Sequence, residues 1–222
     1  MNELIAKKLQ LLDQKCRRLT AESMQPIIMI YKTFKGKEIE SVIEELGRLR
    51  IAVFRAFPYL YEGSLEYEKE YLKVYTASEK SFLFSVWDNG KMVGATTCIP
   101  LIDEGAEVQE PFASAGLDKE KIFYFGESIL LSQYRGIGLG KRFFEEREAH
   151  ARSFNTFDFT CFCGVVRPEN HPLRPMDYVP LDEFWKSRGY EKQENLKSWF
   201  EWQDINEDVS SPKPMIYWMK KL

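Results

Sequence analysis

Three glycines stand at alternate positions in the run "QYRGIGLGKRFFEERE", which spans residues 133–148. Gly136, Gly138 and Gly140 follow Arg135 directly, and Lys141 comes next. An apolar run, "KIFYFGESILL", precedes them, and a charged stretch with helical character follows. A strand, a tight turn and a helix starting near Gly138 would aim several backbone N–H groups the same way. Unpaired donors and the partial positive charge of a helix start suit an anion. Glycine lets a phosphate approach the backbone with no Cβ between them, and Arg135 and Lys141 add mobile positive charge on either side. A diphosphate is the guest such a turn fits. A Walker loop is excluded, because Lys141 is followed by Arg142 rather than Ser or Thr. The dinucleotide fingerprint G-x-G-x-x-G fails on spacing.

The second chemical signal is Glu127, the one carboxylate inside the apolar run 121–131. Strand alternation would put Phe125 and Ile129 on its face, and desolvation there would raise its pKa and suit it to act as a base. The competing reading is a carboxylate that satisfies irregular backbone or pairs with an arginine. A third cluster, Arg167, Glu169, Asn170, His171, Arg174, Asp177 and Tyr178, sits among four prolines in residues 167–180. A stiff polar loop of this kind could wall a substrate, its arginines facing a carboxylate or phosphate, or could be a solvated loop held by its own ion pairs.

The elements that must position these groups are legible from pattern. Apolar residues recur at three- and four-residue steps over 2–21, which predicts an amphipathic helix. A strand follows Pro26, then a helix around 38–56, an aromatic loop "FPYLYEGS", and a helix capped by Ser64. "SFLFSVWDNGKMVGATTCIPL" predicts a hairpin turning on Asp88-Asn89-Gly90. A polar loop with a short helix occupies 102–120, ahead of the apolar strand and the glycine-started helix of about 138–154. "FDFTCFCGVV" is the next strand, and after the proline-rich loop come a short helix "LDEFWKSRGY" and two closing strands. These predict a helical extension over 1–24 and one domain over 25–222. The extension would dock on the domain, mediate self-association as a homodimer, or lie against a partner.

At this point the chain resembles the GNAT superfamily of N-acetyltransferases. Their pyrophosphate motif [QR]-x-x-G-x-[GA] corresponds to Arg135-Gly136-Ile137-Gly138-Leu139-Gly140, and "DEFWKSRGYEK" is similar to their "xxFYEKLGFxx" segment. The order of elements from about residue 26 to 222 is also theirs. The resemblance implies an α/β (α+β) fold: a mixed, mostly antiparallel sheet of about seven strands flanked by helices, with an extra N-terminal helix. It implies acetyl-CoA as co-substrate, in a gap where the fourth and fifth strands splay. Main-chain groups of Ile129, Leu130 and Leu131 would meet the pantetheine arm, and N–H groups from Gly136 to Lys141, with Arg135, the pyrophosphate. The interruption at Gly126–Ser128 fits that family's bulge. Direct acetyl transfer to a small-molecule or peptide amine is then expected, with Glu127 as base and Arg167, His171 and Arg174 as the acceptor's wall. The sequence departs from the family where a tyrosine serves the leaving thiolate: aligned through Gly189, that place holds Trp185, and the family's upstream asparagine falls on Tyr178. Tyr178 and Tyr190 are the candidate substitutes. A non-catalytic acyl-CoA-binding or protein-interaction module is the alternative.

Composition narrows the rest. A net charge of −3 gives no general attraction to nucleic acid or anionic membrane. No stretch reaches the roughly 18 apolar residues of a membrane helix, and the charged N-terminus does not read as a signal peptide, so a cytoplasmic protein is expected. Cys161 and Cys163 share a strand face, but no further Cys or His stands at a suitable ligand spacing, the two histidines being His150 and His171, so no metal site is expected.

Overall fold

The computed structural model describes residues 29–222, and Tyr31–Leu222 form one compact unit. The helix expected over 2–21 lies outside the described residues. Eight strands make one sheet: β1 (Ile30–Lys35), β2 (Phe82–Asp88), β3 (Lys91–Pro100), β4 (Ile122–Tyr124), β5 (Ser128–Leu130), β6 (Phe159–Val165), β7 (Glu191–Trp202) and β8 (Ser211–Lys221). Their order is β1-β2-β3-β4-β6-β8-β7, with β5 pairing on β3. All the registered pairings are antiparallel except β4 with β6. The seven strands expected become eight because β4 and β5 are two halves of one apolar run, broken at residues 125–127.

Helix α1 (Ile43–Phe54) continues a 3-10 turn over Gly36–Val42. Ser64 caps α2 (Leu65–Tyr71) by accepting the Tyr67 N–H at 3.3 Å, and α3 (Lys73–Ala77) follows. The polar loop contains α4 (Ala106–Ser114). The glycine turn opens α5 (Leu139–Arg152), and α6 (Asp182–Ser187) is the short helix before β7. The hairpin turns as the sequence dictates, with Asn89 and Gly90 both at positive φ.

Two cores sandwich the sheet. Leu46, Leu49, Leu83, Ala95, Ile99, Phe112 and Ile129 belong to the core shared with α1 and α4. The aromatic residues Phe84, Phe125, Phe143, Phe144 and Tyr190 pack on the α5 side. Arg147 of α5 is buried there with its guanidinium over Phe125 and Phe144, at 4.4 and 4.7 Å. Burial pulls its pKa down to about 10.

The break between β4 and β5 changes side-chain parity. Phe125 faces α5, whereas Glu127, two residues on, faces the opposite cavity. An inserted residue exchanges the faces of a strand, so the expectation that Phe125 shares the Glu127 face is corrected. Gly126 is required by close approach: a Cβ there would overlap the buried Tyr75 hydroxyl. Gly126→Ala is therefore expected to destabilise the fold by about 1–3 kcal/mol. Adding Tyr75→Phe should recover part of that loss in urea unfolding, and a Gly126→Ala protein of unchanged midpoint would refute the account.

Candidate functional site

The site begins at the break. Glu127 N–H donates to Thr97 Oγ1 at 2.8 Å, and Gly126 N–H to the Thr97 carbonyl at 3.2 Å. The Glu127 carbonyl accepts from Thr96 Oγ1 at 2.7 Å, Thr97 N–H at 3.1 Å and Arg147 Nη1 at 3.3 Å. Residue 127 is thus fixed to β3 from both faces of the sheet.

Beyond it the sheet opens. β4 pairs with β6 from Ile122↔Phe159 to Tyr124↔Cys161, and the last link is Phe125 N–H to the Cys161 carbonyl at 2.7 Å. β5 then stays with β3, while Phe162–Val165 of β6 follow β8. The result is a V-shaped gap between β5 and the second half of β6. Glu127 and Leu131 direct their main-chain groups to β3, Leu131 N–H reaching the Val93 carbonyl at 3.0 Å. Alternation sends Ile129 the same way, towards its partner Ala95. The groups turned into the gap belong to Ser128 and Leu130. Of the three main-chain positions expected there, only Leu130 has that orientation, and Ser128 was missed because the sequence does not show where the bulge ends.

The glycine turn lies beyond β5, at the open end of the gap. Gly136 and Gly138 have φ of +80° and +90°, and an added Cβ at either would meet nothing within 4 Å. Glycine is needed at both for conformation, and the space over them is open. Arg142 N–H makes the first bond of α5, to the Gly138 carbonyl at 3.1 Å, so the N–H groups of Leu139, Gly140 and Lys141 precede the helical ladder. Ile137 is exposed between the two turns, and Leu139 is buried as the helix's first anchor. Arg135 donates from Nε to the Leu130 carbonyl at 3.2 Å, and Lys141 pairs loosely with Glu145 at 3.6 Å on the surface.

Beside the apex, where β4 and β6 part, lies a cavity of about 460 Å³. Tyr124, Gly126, Glu127 and Cys163 line it from the splay, Arg50 from α1, and Trp199 and Trp202 from β7. Glu127 is only 2% exposed and is ion-paired with Arg50 Nη1. Arg50 Nε bonds the fully buried Glu68 carboxylate at 2.5 Å, and the guanidinium stacks on Tyr71 at 4.4 Å. Burial opposes the Arg50 charge, but Glu127 and the other groups around it outweigh that, and it stays protonated. For Glu127, burial raises the pKa, Arg50 pulls it back, and the Glu68 charge adds to the rise; the balance lies above the ordinary value. Both readings of Glu127 therefore meet in one residue: it pairs with an arginine and it lines the cavity with a raised pKa.

The remaining candidates sit differently. Tyr190 is buried, its hydroxyl bonded to Thr160 Oγ1 at 2.9 Å and Glu148 Oε1 at 3.2 Å on the α5 side, so it does not serve the cavity. Tyr178 lies half-buried with its ring edge-on to Phe57, 4.6 Å away, under the Arg174 guanidinium. Neither Tyr178 nor Arg174 is part of the cavity lining. Arg167 is committed to structure: it donates to the Pro58 and Tyr59 carbonyls at 2.7 and 2.8 Å and pairs with Asp204 at 2.8 Å. It holds the aromatic loop that walls the cavity and has no fork left for a substrate. His171 packs near Phe57 and accepts the Leu173 N–H on Nδ1. Trp185 stacks over Gly164 between Phe162 and Trp218. A hydroxyl the sequence did not suggest, that of Tyr124, does line the splay, 3.2 Å from Cys163 Sγ.

The fold that carries the glycine turn, the splayed strands and the bulge has counterparts among solved structures. The acetyltransferase of GNAT family from Streptococcus pneumoniae superposes with a TM-score of 0.51 over 87% of this chain and 100% of its own, at 12% identity. The chain has the GNAT fold. Ribosomal-protein-alanine N-acetyltransferase from Brucella melitensis gives a TM-score of 0.54 over 86% of this chain and 99% of its own, at 13% identity. An acetyltransferase from Streptococcus agalactiae gives 0.53 over 87% and 98%, also at 13%. No family model and no curated protein matches the sequence. At these identities the likeness is one of fold, and the GNAT scaffold is kept by geometry rather than by shared residues. Among the described residues, no helix is long and apolar enough to cross a membrane.

One titration follows from the cavity's floor. Glu104, another lining carboxylate, has its Oε1 buried with no hydrogen-bond partner among the described residues. Burial is the main cause that lifts its pKa from 4.5 to about 7, with Glu127 and Glu107 adding to it. A carboxyl raised in this way favours the folded state most below its unfolded pKa, and that contribution disappears as pH rises through the folded value. Thermal midpoints should therefore fall between about pH 5 and 8, and fall less in Glu104→Gln. Parallel curves for the two proteins would sink this assignment.

Proposed function

We propose that the protein is an N-acetyltransferase that moves the acetyl group of acetyl-CoA directly to an amine held in the cavity, in a ternary complex. The observation that carries the reading is the continuity of three features along one gap: the open glycine turn, the unpaired β5 edge, and the cavity beside Glu127. Gly136 to Lys141 fit a diphosphate, since their N–H groups precede the helical ladder and the space over Gly136 and Gly138 is free. Leu130 and Ser128 offer main-chain groups to an extended amide-bearing arm. Bound acetyl-CoA would supply the acetyl group as a thioester.

The chain's own residues supply the rest. A lysine-like amine has a pKa near 10 and must lose a proton before it attacks. Glu127, with its raised pKa and its carboxylate fixed by Arg50, is suited to take that proton directly or through one water. The Ser128 N–H, turned into the gap, is a donor for charge developing on the carbonyl oxygen. Burial keeps the Tyr124 hydroxyl protonated, so it is available to hydrogen-bond the departing sulfur in place of the tyrosine that Trp185 replaces. A binding module without turnover is favoured by one observation only, the Trp185 substitution itself.

Two measurements test the proposal. Gly138→Asp puts a side chain at a φ of +90° and a negative charge at the turn. Acetyl-CoA affinity by calorimetry should drop at least about a hundredfold, given the loss of several charge-assisted bonds; an undiminished affinity would remove the basis of the reading. Glu127→Gln should leave acetyl-CoA affinity near wild type and lower turnover by roughly 10²–10⁴-fold. The defect should shrink as pH approaches the acceptor's own pKa. Full activity at every pH would reduce Glu127 to a structural partner of Arg50.

A further inference from the structure

β7 stands at one end of the sheet, and two prolines fix the direction of its main chain. Trp199 and Glu201 lie opposite Pro214 and Pro212 of β8. Proline has no N–H to give, and the Pro214 carbonyl is turned away from β7, accepting the Val166 N–H at 2.8 Å. The N–H and C=O groups of Trp199 therefore point outward from the sheet, and by alternation those of Lys197 and Glu201 do too. Gln203, two residues on, has the same orientation, its carbonyl accepting the Glu62 N–H at 2.9 Å. Among the described residues nothing bonds the outward groups of Lys197, Trp199 and Glu201. The Glu62 contact bounds this open stretch at one end, and the register shift between Gln193 and Lys197 bounds it at the other.

The side chains along the same stretch select what can lie there. Ser198 is buried and donates to the Glu107 carbonyl of α4 at 2.6 Å, so Lys197, Trp199 and Glu201 lie on the opposite face. All three are exposed, the tryptophan to 62%. An antiparallel strand centred on Trp199 would give every outward group a partner, with position 197 facing 201 and 199 facing 199. If that strand is β7 of a second copy, Lys197 of each copy stands directly opposite Glu201 of the other. The two indoles then meet between the ion pairs, and the contact closes on a two-fold axis. The strand at the other end of the sheet, β1, carries only lysines as charged residues, Lys32 and Lys35. Pairing β1 with itself would bring like charges together, which is how an edge is blunted. Opposite charges spaced evenly about an exposed tryptophan match β7 to its own copy instead.

We propose that the protein forms a two-fold dimer in which β7 pairs antiparallel with β7 of a second copy about Trp199, joining two sheets into one. In sedimentation velocity the full-length protein should run as a dimer at about 100 µM, where even a Kd of about 10 µM leaves it mostly associated. Lys197→Glu and Glu201→Lys each set like charges opposite one another at both ends of the contact. Each should weaken the dimer at least about tenfold. An equimolar mixture of the two variants restores both ion pairs in the mixed dimer and should sediment like wild type. The double variant, with the charges exchanged, should do so alone. Amide protons of Lys197, Trp199 and Glu201 should exchange more slowly in the dimer than after dilution to monomer. A monomer at every concentration, a dimer indifferent to the single reversals, or a mixture that stays monomeric would each overturn the proposal. Protection of those amides in a monomer would overturn it too, since another part of the chain would then cover the edge.

Discussion

The site depends on how the chain is held at residues 126 and 127. Thr96 and Thr97 of one strand, and Arg147 from the helix on the other side, all bond the main chain there. That clamp has two consequences. It ends the pairing of β4 with β6, so the following strand must diverge and leave the gap. It also shifts parity, which sends Glu127 into the cavity while Phe125 stays in the aromatic core. A regular strand through this point would bury a carboxylate among Phe125, Phe144 and Tyr190, or leave the sheet closed. The bulge gives the sheet an open edge and the edge a carboxylate in one step.

A carboxylate so placed has to be stabilised, and the triad with Arg50 and Glu68 does so incompletely. Buried ion pairs gain little net stability, because desolvating the charges offsets their attraction. With two carboxylates on one guanidinium, the cluster carries a surplus negative charge. The result is a Glu127 that is fixed in position yet more basic than an exposed glutamate, which is the combination proton abstraction needs. A fully satisfied one-to-one pair would have held the carboxylate just as firmly and depressed its pKa. The contact that fixes Glu127 and the balance that raises its pKa have one origin, set by the presence of Glu68.

How much of this could be read from the residues depends on the range of the interaction. The hairpin at Asn89-Gly90, the Ser64 cap and the glycine turn are local, so type and spacing announced them. Glu127 stood out because a lone charge in an apolar run is anomalous wherever the fold puts it. The role of Arg167 was misleading for the converse reason: an arginine in a polar loop looks free until the carbonyls of Pro58 and Tyr59 and the carboxylate of Asp204, far away in sequence, are found around it. Arg50, Glu68, Glu104 and Tyr124 gave no sign, since each acts through partners brought together only by the sheet. Arg50 and Glu68 sit on helices whose exposed faces are full of similar charges, and no local pattern distinguishes the buried members.

In the proposed reaction the leaving group would follow the same logic. Where a tyrosine is expected on α6, Trp185 fills the space over Gly164 and packs on Phe162 and Trp218. The hydroxyl of Tyr190 is bonded into the core and is out of reach. Losing an acid at that place matters less than losing the base would, because a thiolate is a far weaker base than an amine and can depart with only a hydrogen-bond donor beside it. Tyr124 would provide such a donor from the adjoining strand end, where it lines the same cavity as Glu127. Acid and base functions would then sit three residues apart, on either side of the bulge. The interruption in the sheet would serve both halves of the reaction, and α6 would be left to packing.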